Sequence, residues 1–419
     1  MARNGMRGAR LRRRFRALAR AVAILVLAGS VALADAPARR PPAARDLAFA
    51  GFVASLWPMA EILGVSRKTF NDAFAGVAFD PKVVAATRRQ AEFTIPVRDY
   101  IAAAVSPDRI ARGRVAAQTV SSWLDEAGQM YGVDPAILTG IWGLESDFGS
   151  SQGTFDVIRS LATLAFVRFR DTYFRDELLA ALMILQNGDI APRAMVGSWA
   201  GAMGQTQFMP SSFLEFAVDF TNDGRRDVWT SKADAIGSTA RFLAANGWKR
   251  GLPWGFEVTL PPGFTLRDAD SAAPAAFSDF AARGVVRADG KPLPAEGVGR
   301  LLMPTGLKGP IFLVTANFDV IKTYNSSTVY ALAVALLGDE IVSRSGLRAP
   351  WPPSDRALGP NEVRNLQSRL KSLGYDPGAI DGMVGDTLRA AVRKYQERNG
   401  LPPDGYADVA LLKRIESGQ

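Results

Sequence analysis

The spacing of apolar residues predicts a chain built mainly of helices. Apolar positions recur three and four residues apart through 161–185, 233–245 and 328–337, which is the repeat of one helix face. Between residues 254 and 315 the pattern changes to short β-prone runs, FEVTL and IFLVT, which are separated by glycine and proline. These runs predict a small β-containing insertion. The expected fold class is therefore mainly α (α+β).

One predicted helix carries a carboxylate in line with its apolar residues. In DPAILTGIWGLE, Asp134 and Pro135 predict the N-cap and the first helical residue. Helical spacing then places four residues on one face: Leu138, Ile141, Trp142 and Glu145. An apolar setting favours the protonated form of a carboxyl group, which can then give its proton to a leaving oxygen near neutral pH. Glu145 is thus a candidate catalytic acid; the alternative is a glutamate on the helix surface.

The C-terminal part of the chain predicts a separate small module. Residues 46–343 read as one large domain, residues 344–357 as a proline-rich linker, and residues 358–416 as a three-helix unit of about the smallest size that folds alone. Two of its helices present apolar faces, the first with Val363, Leu366, Leu370 and Leu373 and the second with Leu388, Ala391, Val392 and Tyr395. The helices have similar arrangements of apolar residues, but the module contains no detectable sequence repeat.

The N-terminus explains the basic charge of the protein. Residues 1–34 contain eight arginines and no acidic residue, so a formal net charge of +9 leaves about +1 for the remainder. The apolar run 21–33 and the small residues that follow have the layout of a secretory signal, and the run is short for a membrane span. An uncleaved anchor is the alternative, and RRRF gives a weak indication of twin-arginine export. We expect neither nucleic-acid binding nor stable membrane insertion.

The protein contains no histidine and no cysteine. Histidine bases, Ser-His-Asp triads, Cys/His metal sites, disulfides and cysteine-linked lipid anchors are therefore excluded. Acid–base chemistry near neutral pH must come from a carboxylate, a lysine or a tyrosine.

Two further segments carry groups that suit carbohydrate. Residues 198–213 combine small residues with Gln205 and Gln207, whose amides can bond to sugar hydroxyl and acetamido groups. Residues 317–334 combine the rings of tyrosines with the amides of asparagines before an apolar helix. The alternatives are a buried loop for the first segment and an ordinary helix start for the second.

The segment DFTNDGRRDVWT resembles the first half of an EF-hand calcium loop. Its matching positions are Asp219, Thr221, Asp223, Gly224 and Asp227. The twelfth position is Thr230 rather than glutamate, and Asp234 could replace that ligand from the next helix. A structural calcium ion is the one cofactor suggested, and no cofactor is expected to be required. The alternative is a turn closed by its own side chains.

Residues 47–343 resemble the lytic murein transglycosylases of the B type, glycoside hydrolase family 103. The resemblance is carried by GLESDFG, GAMGQTQFMPSSF, AVDFTNDGRRDVW, DAIGSTARFLAANGW and NFDVIKTYNSSTVYALAVALLGD, which occur in the family's order. Residues 358–416, with LQSRLKSLGYDPGAIDGMVGDTLRAAVRKYQ, resemble a peptidoglycan-binding domain. The resemblance implies a lysozyme-like helical catalytic domain.

The resemblance also implies roles for individual residues. The single catalytic acid of the family matches Glu145, and residues that line the glycan cleft match Ser198, Gln207, Tyr324, Asn325 and Tyr330. The calcium ligands of some members match Asp219, Thr221, Asp223 and Asp234. The expected activity is non-hydrolytic cleavage of peptidoglycan strands in the periplasm, and other cell-wall enzymes are candidate partners. A hydrolytic muramidase, a catalytically silent wall-binding scaffold and a secreted calcium-binding protein remain the alternatives.

Overall fold

The computed structural model describes two compact units. The described residues are 43–87, 95–264, 266, 273–342, 346–352 and 358–418. The first unit holds residues 43–87, 111–247 and 323–326, and the second unit holds the other described residues. The predicted signal at 1–34 and part of the predicted linker 344–357 lie outside the described residues.

Helices account for most of the described chain. In chain order they are α1 (Ala43–Ser55), α2 (Trp57–Ile62), α3 (Arg67–Phe74), α4 (Pro81–Ala86), α5 (Val97–Ala104), α6 (Pro107–Thr119), α7 (Ser121–Tyr131), α8 (Pro135–Ser146), α9 (Val157–Phe166), α10 (Tyr173–Asn187), α11 (Pro210–Phe216), α12 (Lys232–Ala245), α13 (Phe277–Ala282), α14 (Ala316–Tyr324), α15 (Thr328–Ile341), α16 (Pro360–Ser372), α17 (Asp386–Arg398) and α18 (Val409–Ser417). None of these helices is both long enough and apolar enough to cross a bilayer.

The strands are short, and seven of the eight in the described chain form two sheets. In chain order they are β1 (Phe155–Asp156), β2 (Val196–Gly197), β3 (Gly255–Thr259), β4 (Ala275–Ala276), β5 (Val286–Arg287), β6 (Val298–Leu302), β7 (Pro304–Leu307) and β8 (Ile311–Thr315). In the first unit β1 pairs with β2. In the second unit the order is β4-β6-β8-β3-β5 with antiparallel neighbours. The predicted fold class, mainly helical with a small β-containing insertion, is confirmed.

Helix α8 is a buried helix of the first unit. It begins as predicted, because the Asp134 side chain accepts a hydrogen bond from the Ala136 N–H at 2.9 Å and Pro135 is the first helical residue. Every residue from Ala136 to Ser146 is buried, so the helix has no solvent-facing side. The single apolar face predicted for it was therefore too narrow a description. Helices α7 and α12 are among the elements that pack against α8.

The sheet of the second unit has its own apolar core. Strand β8 lies at the centre of the order and pairs with β3 and β6 on its two sides. Helix α13 supplies aromatic side chains to the same cluster, whose buried members are Val258, Leu266, Phe277, Phe280, Val285, Leu293, Leu301, Met303 and Leu313. This small sheet and its helix explain why the sequence changes from helical spacing to short β-prone runs between residues 254 and 315.

The three C-terminal helices enclose a separate core within the second unit. The faces predicted for α16 and α17 are buried there, with Val363, Leu366, Leu370, Leu388, Ala391, Val392 and Tyr395. Leu373 is the exception, since it caps the end of α16 and is half exposed.

A repeated hydrogen-bond pattern links two helices of this module to the turns that follow them. Buried Gln367 of α16 donates to Asp381 Oδ1 at 2.9 Å and accepts from the Gly382 N–H at 2.9 Å. Buried Gln396 of α17 donates to an aspartate Oδ1 at 2.7 Å and accepts from the next glycine, Gly405, at 2.8 Å. The module therefore uses one glutamine and one Asp-Gly turn twice, although the spacing between them differs.

Candidate active site

Glu145 lies in the last turn of α8 and is 8% exposed. The helix ends at Ser146 because the three residues after it have left-handed backbones, with φ of 49° at Asp147, 61° at Phe148 and 88° at Gly149. A Cβ at Gly149 would lie 2.5 Å from Gln205 Oε1, so glycine permits the close approach of another segment at this point. The helix end that carries Glu145 thus meets the Gln205 segment directly.

Ser146, which follows Glu145 in the chain, joins these two segments. Its hydroxyl donates to the carbonyl oxygen of Gln205 and accepts from the Gly149 N–H at 2.8 Å. Because Ser146 is itself buried, these bonds replace its contacts with water. No sequence pattern singles out Ser146, since a small polar residue after a glutamate has many ordinary explanations.

The segment from Ser198 to Met209 forms a tight loop against α8. Met203 and Phe208 exchange both of their backbone hydrogen bonds, at 2.8 and 2.9 Å, and this closes a four-residue turn between them. Ser198 Oγ accepts hydrogen bonds from the backbone of the next small residues, at 3.3 and 3.0 Å. Gln207 has a φ of 52°, which is uncommon for a residue other than glycine.

The two glutamines of this loop have different surroundings. Gln205 is buried, and its Oε1 accepts from Trp142 Nε1 at 3.1 Å while its Nε2 donates to the Trp229 carbonyl at 3.3 Å. Both ends of its amide therefore bind protein groups. Gln207 is partly exposed, and its Nε2 donates to the carbonyl oxygens of Gln152 and Gly204 at 3.1 and 2.8 Å.

Tyr324 connects the same loop to the charge of Glu145. Its hydroxyl donates to the Thr206 carbonyl, and its ring packs against Phe208 and Phe242 at centroid distances of 6.0 and 4.9 Å. Burial, followed by the negative charge of Glu145, raises the pKa of Tyr324 well above its ordinary value. Tyr324 therefore stays neutral at physiological pH, and it lies close enough to Glu145 for the charge of that carboxylate to affect its pKa.

The structure places six of the seven residues predicted for catalysis and glycan binding in the first unit: Glu145, Ser198, Gln205, Gln207, Tyr324 and Asn325. Asn325 follows Tyr324 and is buried. Tyr330 belongs to the second unit, where it is buried in the first turn of α15 and its N–H donates to Ser327 Oγ at 3.3 Å.

The carboxylate that is nearest to Glu145 in sequence is engaged by an arginine. Asp147 Oδ1 accepts from the Arg112 guanidinium at 2.9 Å in a partly exposed ion pair. This contact draws Asp147 to α6. Asp147 is therefore held in a different setting from the buried Glu145.

The predicted calcium loop is closed by its own hydrogen bonds. Asp219 accepts from the N–H groups of Asp223 and Gly224 at 3.0 and 2.7 Å. Asp234 is fully buried, and its two oxygens accept from the N–H groups of Phe220 and Asp227 at 2.9 and 2.8 Å. Burial raises the pKa of Asp234. Among the described residues no group of three or more histidine, cysteine, aspartate or glutamate side chains comes together in a way that could hold a metal ion.

Comparison with known families finds two matches along the chain. Residues 48–339 match the transglycosylase SLT domain, and residues 359–415 match the putative peptidoglycan binding domain. The membrane-bound lytic murein transglycosylase B of Escherichia coli is 36% identical over 244 residues, which are 57% of this chain and 65% of that protein. The chain thus matches somewhat less than two thirds of this curated relative.

Solved structures give longer matches. SltB3 from Pseudomonas aeruginosa in complex with NAG-anhNAM-pentapeptide is 44% identical, has a TM-score of 0.83, and is matched over 88% of this chain and 99% of that one. The Escherichia coli lytic transglycosylase Slt35 in complex with calcium is 30% identical, has a TM-score of 0.60, and is matched over 72% of this chain and 95% of that one.

Proposed function

The chain belongs to the family of transglycosylase SLT domains, and from this membership we propose that it is a lytic transglycosylase of peptidoglycan. It cleaves the β-1,4 bond between N-acetylmuramic acid and N-acetylglucosamine and leaves a 1,6-anhydro end. The observation that supports this proposal best is the relative of 44% identity, whose solved complex contains an anhydro sugar peptide.

One carboxylate is sufficient for this reaction. Glycosidases that use water normally employ two carboxylates, about 5 Å apart for retention or about 6.5–9.5 Å apart for inversion. In a lytic transglycosylase the 6-hydroxyl of the sugar is the nucleophile, and an intramolecular nucleophile has a high effective concentration. The buried Glu145 supports the single-acid mechanism, as does the Asp147–Arg112 ion pair, which gives Asp147 another partner.

Glu145 acts first as an acid and then as a base. It gives its proton to the glycosidic oxygen as the bond from that oxygen to the anomeric carbon breaks. The 6-hydroxyl oxygen then bonds to the anomeric carbon and returns a proton to Glu145, so that the carboxyl group is regenerated and no water is consumed. We assign Ser198, Gln205, Gln207, Tyr324, Asn325 and Tyr330 to the binding and shaping of the glycan cleft.

The remaining parts of the chain support action on the cell wall. The module at 359–415 matches peptidoglycan-binding domains and supplies affinity for the wall. The N-terminal pattern of arginines and an apolar run supports export to the periplasm. We further propose that the loop 219–230 keeps its shape without calcium, because Asp234 already binds the backbone of that loop.

Product analysis tests the activity. The full chain is incubated with purified sacculi, and the released fragments are weighed by mass spectrometry. Anhydro products, lighter by one water than hydrolysis products, support the proposal. Heavier products identify a muramidase, and binding without release identifies a scaffold.

Two variants then test the assignment of Glu145. Glu145→Gln keeps the shape of the side chain but removes the acid, so it should fold and bind sacculi without cutting them. Asp147→Asn is the matched control, since asparagine tolerates the left-handed backbone and Asp147 binds Arg112 and has no role in the proposed reaction. Cleavage by Glu145→Gln at the parent rate would show that another group is the acid.

A further inference from the structure

A second buried glutamate lies outside the residues assigned to the reaction. Glu177 of α10 is 4% exposed, and no lysine or arginine in the described part of the chain forms an ion pair with it. Both of its hydrogen bonds go to Ser211: Oε1 accepts from the hydroxyl at 2.6 Å and Oε2 from the N–H at 2.9 Å. A buried carboxylate without a cation is costly, so its retention needs a reason.

Glu177 supplies the cap that α11 lacks. Ser211 is the second residue of α11, and its N–H is one of those that a helix start leaves without a partner. Met209 is the N-cap residue and forms no side-chain cap. A serine or aspartate at that position would satisfy the helix locally. A carboxylate from α10 does so from a distance, and it therefore also fixes α11 to α10.

The fixed helix start continues directly into the loop beside Glu145. Phe208, three residues before Ser211, closes the turn with Met203 through paired backbone hydrogen bonds. Within that turn the carbonyl of Gln205 accepts from Ser146, which follows Glu145 in the chain, and the carbonyl of Thr206 accepts from Tyr324.

The backbone of this turn is strained at one residue. Gln207 has a left-handed φ of 52°, which persists only when the surrounding structure holds it. The paired bonds of Met203 and Phe208 hold the turn from within, and the Glu177–Ser211 bonds hold the chain that leaves it.

We propose that Glu177 is a positioning residue of the transglycosylase reaction, which holds the loop from Met203 to Phe208 against the proposed acid by gripping Ser211 with both carboxylate oxygens. This inference rests on the proposed function. Glu177 does not touch the sugar; it acts through Ser211 and the start of α11. Removal of the Glu177 carboxylate allows the loop to change position. Small displacements near a reacting bond lower the reaction rate more than they lower substrate affinity.

Three variants of the full chain test this role. Glu177→Ala removes both hydrogen bonds to Ser211. Glu177→Gln keeps one oxygen to accept from the Ser211 N–H and an NH₂ group that can donate to its hydroxyl. Asp176→Asn is the matched control, because Asp176 neighbours Glu177 on α10 but binds Arg175 instead. Rates are measured on soluble peptidoglycan strands per folded molecule, well below the unfolding temperature.

We expect kcat of Glu177→Ala to fall on the order of 10- to 100-fold, with KM within about threefold of the parent value. Glu177→Gln should recover most of the rate, and Asp176→Asn should match the parent. If Glu177→Ala lowers only the unfolding temperature and keeps the parent kcat, Glu177 is structural and the inference is wrong.

Hydrogen exchange separates this inference from the proposed function. The amides of residues 203–209 should exchange faster in Glu177→Ala than in Asp176→Asn, whatever the substrate. If the parent releases no anhydro product, the proposed function fails, and the exchange comparison still decides whether Glu177 holds the loop. Equal exchange in the two variants would overturn the inference even in an active enzyme.

Discussion

The buried Glu177 should give the first unit a stability that falls as pH rises. Burial raises the pKa of this carboxyl from 4.5 to about 7, and the two bonds from Ser211 only partly oppose that rise. Among neighbouring groups, the charge of Asp176 raises the pKa further, and Tyr173 is neutral because its own pKa is raised. The folded state binds this proton more tightly than the unfolded state does. The contribution of Glu177 to stability is therefore fully present below pH 4.5 and is lost as pH rises through 7.

The expected magnitude follows from the two pKa values. At about 1.4 kcal/mol per pH unit, a pKa that rises from 4.5 to about 7 corresponds to roughly 3 kcal/mol, most of which is lost between pH 5 and pH 8. The residue is fully buried, so water does not screen this difference. Glu177→Gln carries no ionisable group and removes the difference, while other titrating groups cancel between parent and variant.

Thermal unfolding of the parent and of Glu177→Gln at pH 5 and pH 8 measures this contribution. Relative to the parent, the variant should gain about 5 to 10 °C in Tm between pH 5 and pH 8, since 1 kcal/mol moves Tm by about 2–4 °C for a unit of this size. Asp176→Asn should keep most of the parent's pH dependence, because Asp176 makes the smallest contribution to the raised pKa of Glu177. A Tm difference between parent and Glu177→Gln that is the same at both pH values would refute the reasoning, because Glu177 would then titrate alike in both states.

Three further predictions concern the proposed site and its loop. Glu145→Gln should lower the release of anhydro products from sacculi by about 10²- to 10⁴-fold, the usual worth of a general acid, with unchanged binding to the wall. Gly149→Ala should cost about 2–4 kcal/mol in urea unfolding, since its φ is 88° and the new Cβ would meet Gln205. Millimolar calcium should leave the Tm unchanged, and Asp234→Asn should cost about 1–3 kcal/mol with or without calcium because backbone N–H groups lose an acceptor.

Local pattern predicted the elements that position Glu145. Asp134 and Pro135 gave the start of α8, and the apolar repeat gave its identity as a helix, because capping and periodicity depend on neighbours in sequence. The burial of every side of α8 was not predictable in this way. It depends on the elements that pack against α8, among them α7 and α12, and their sequences lie elsewhere in the chain.

The contacts that hold the site together join residues far apart in the chain. Glu177 and Ser211 are 34 residues apart, and Trp142 and Gln205 are 63 residues apart. The sequence around one residue of such a pair does not indicate which distant residue it will contact. The amide of Gln205 suggested a sugar contact from its chemistry, and only the fold shows that Trp142 and Trp229 bind it.

These long-range contacts suit a reaction whose nucleophile belongs to the substrate. An enzyme that activates water can place that water with a second carboxylate, whereas in the proposed reaction the sugar's own 6-hydroxyl must be held in reach of the anomeric carbon. The demand then falls on the rigidity of the cleft rather than on another charged group. Buried polar groups around Glu145 are accordingly committed to protein partners: Ser146 to a loop carbonyl, Gln205 to two tryptophans and Tyr324 to another loop carbonyl. Loosening any of these bonds should therefore lower kcat before it lowers binding.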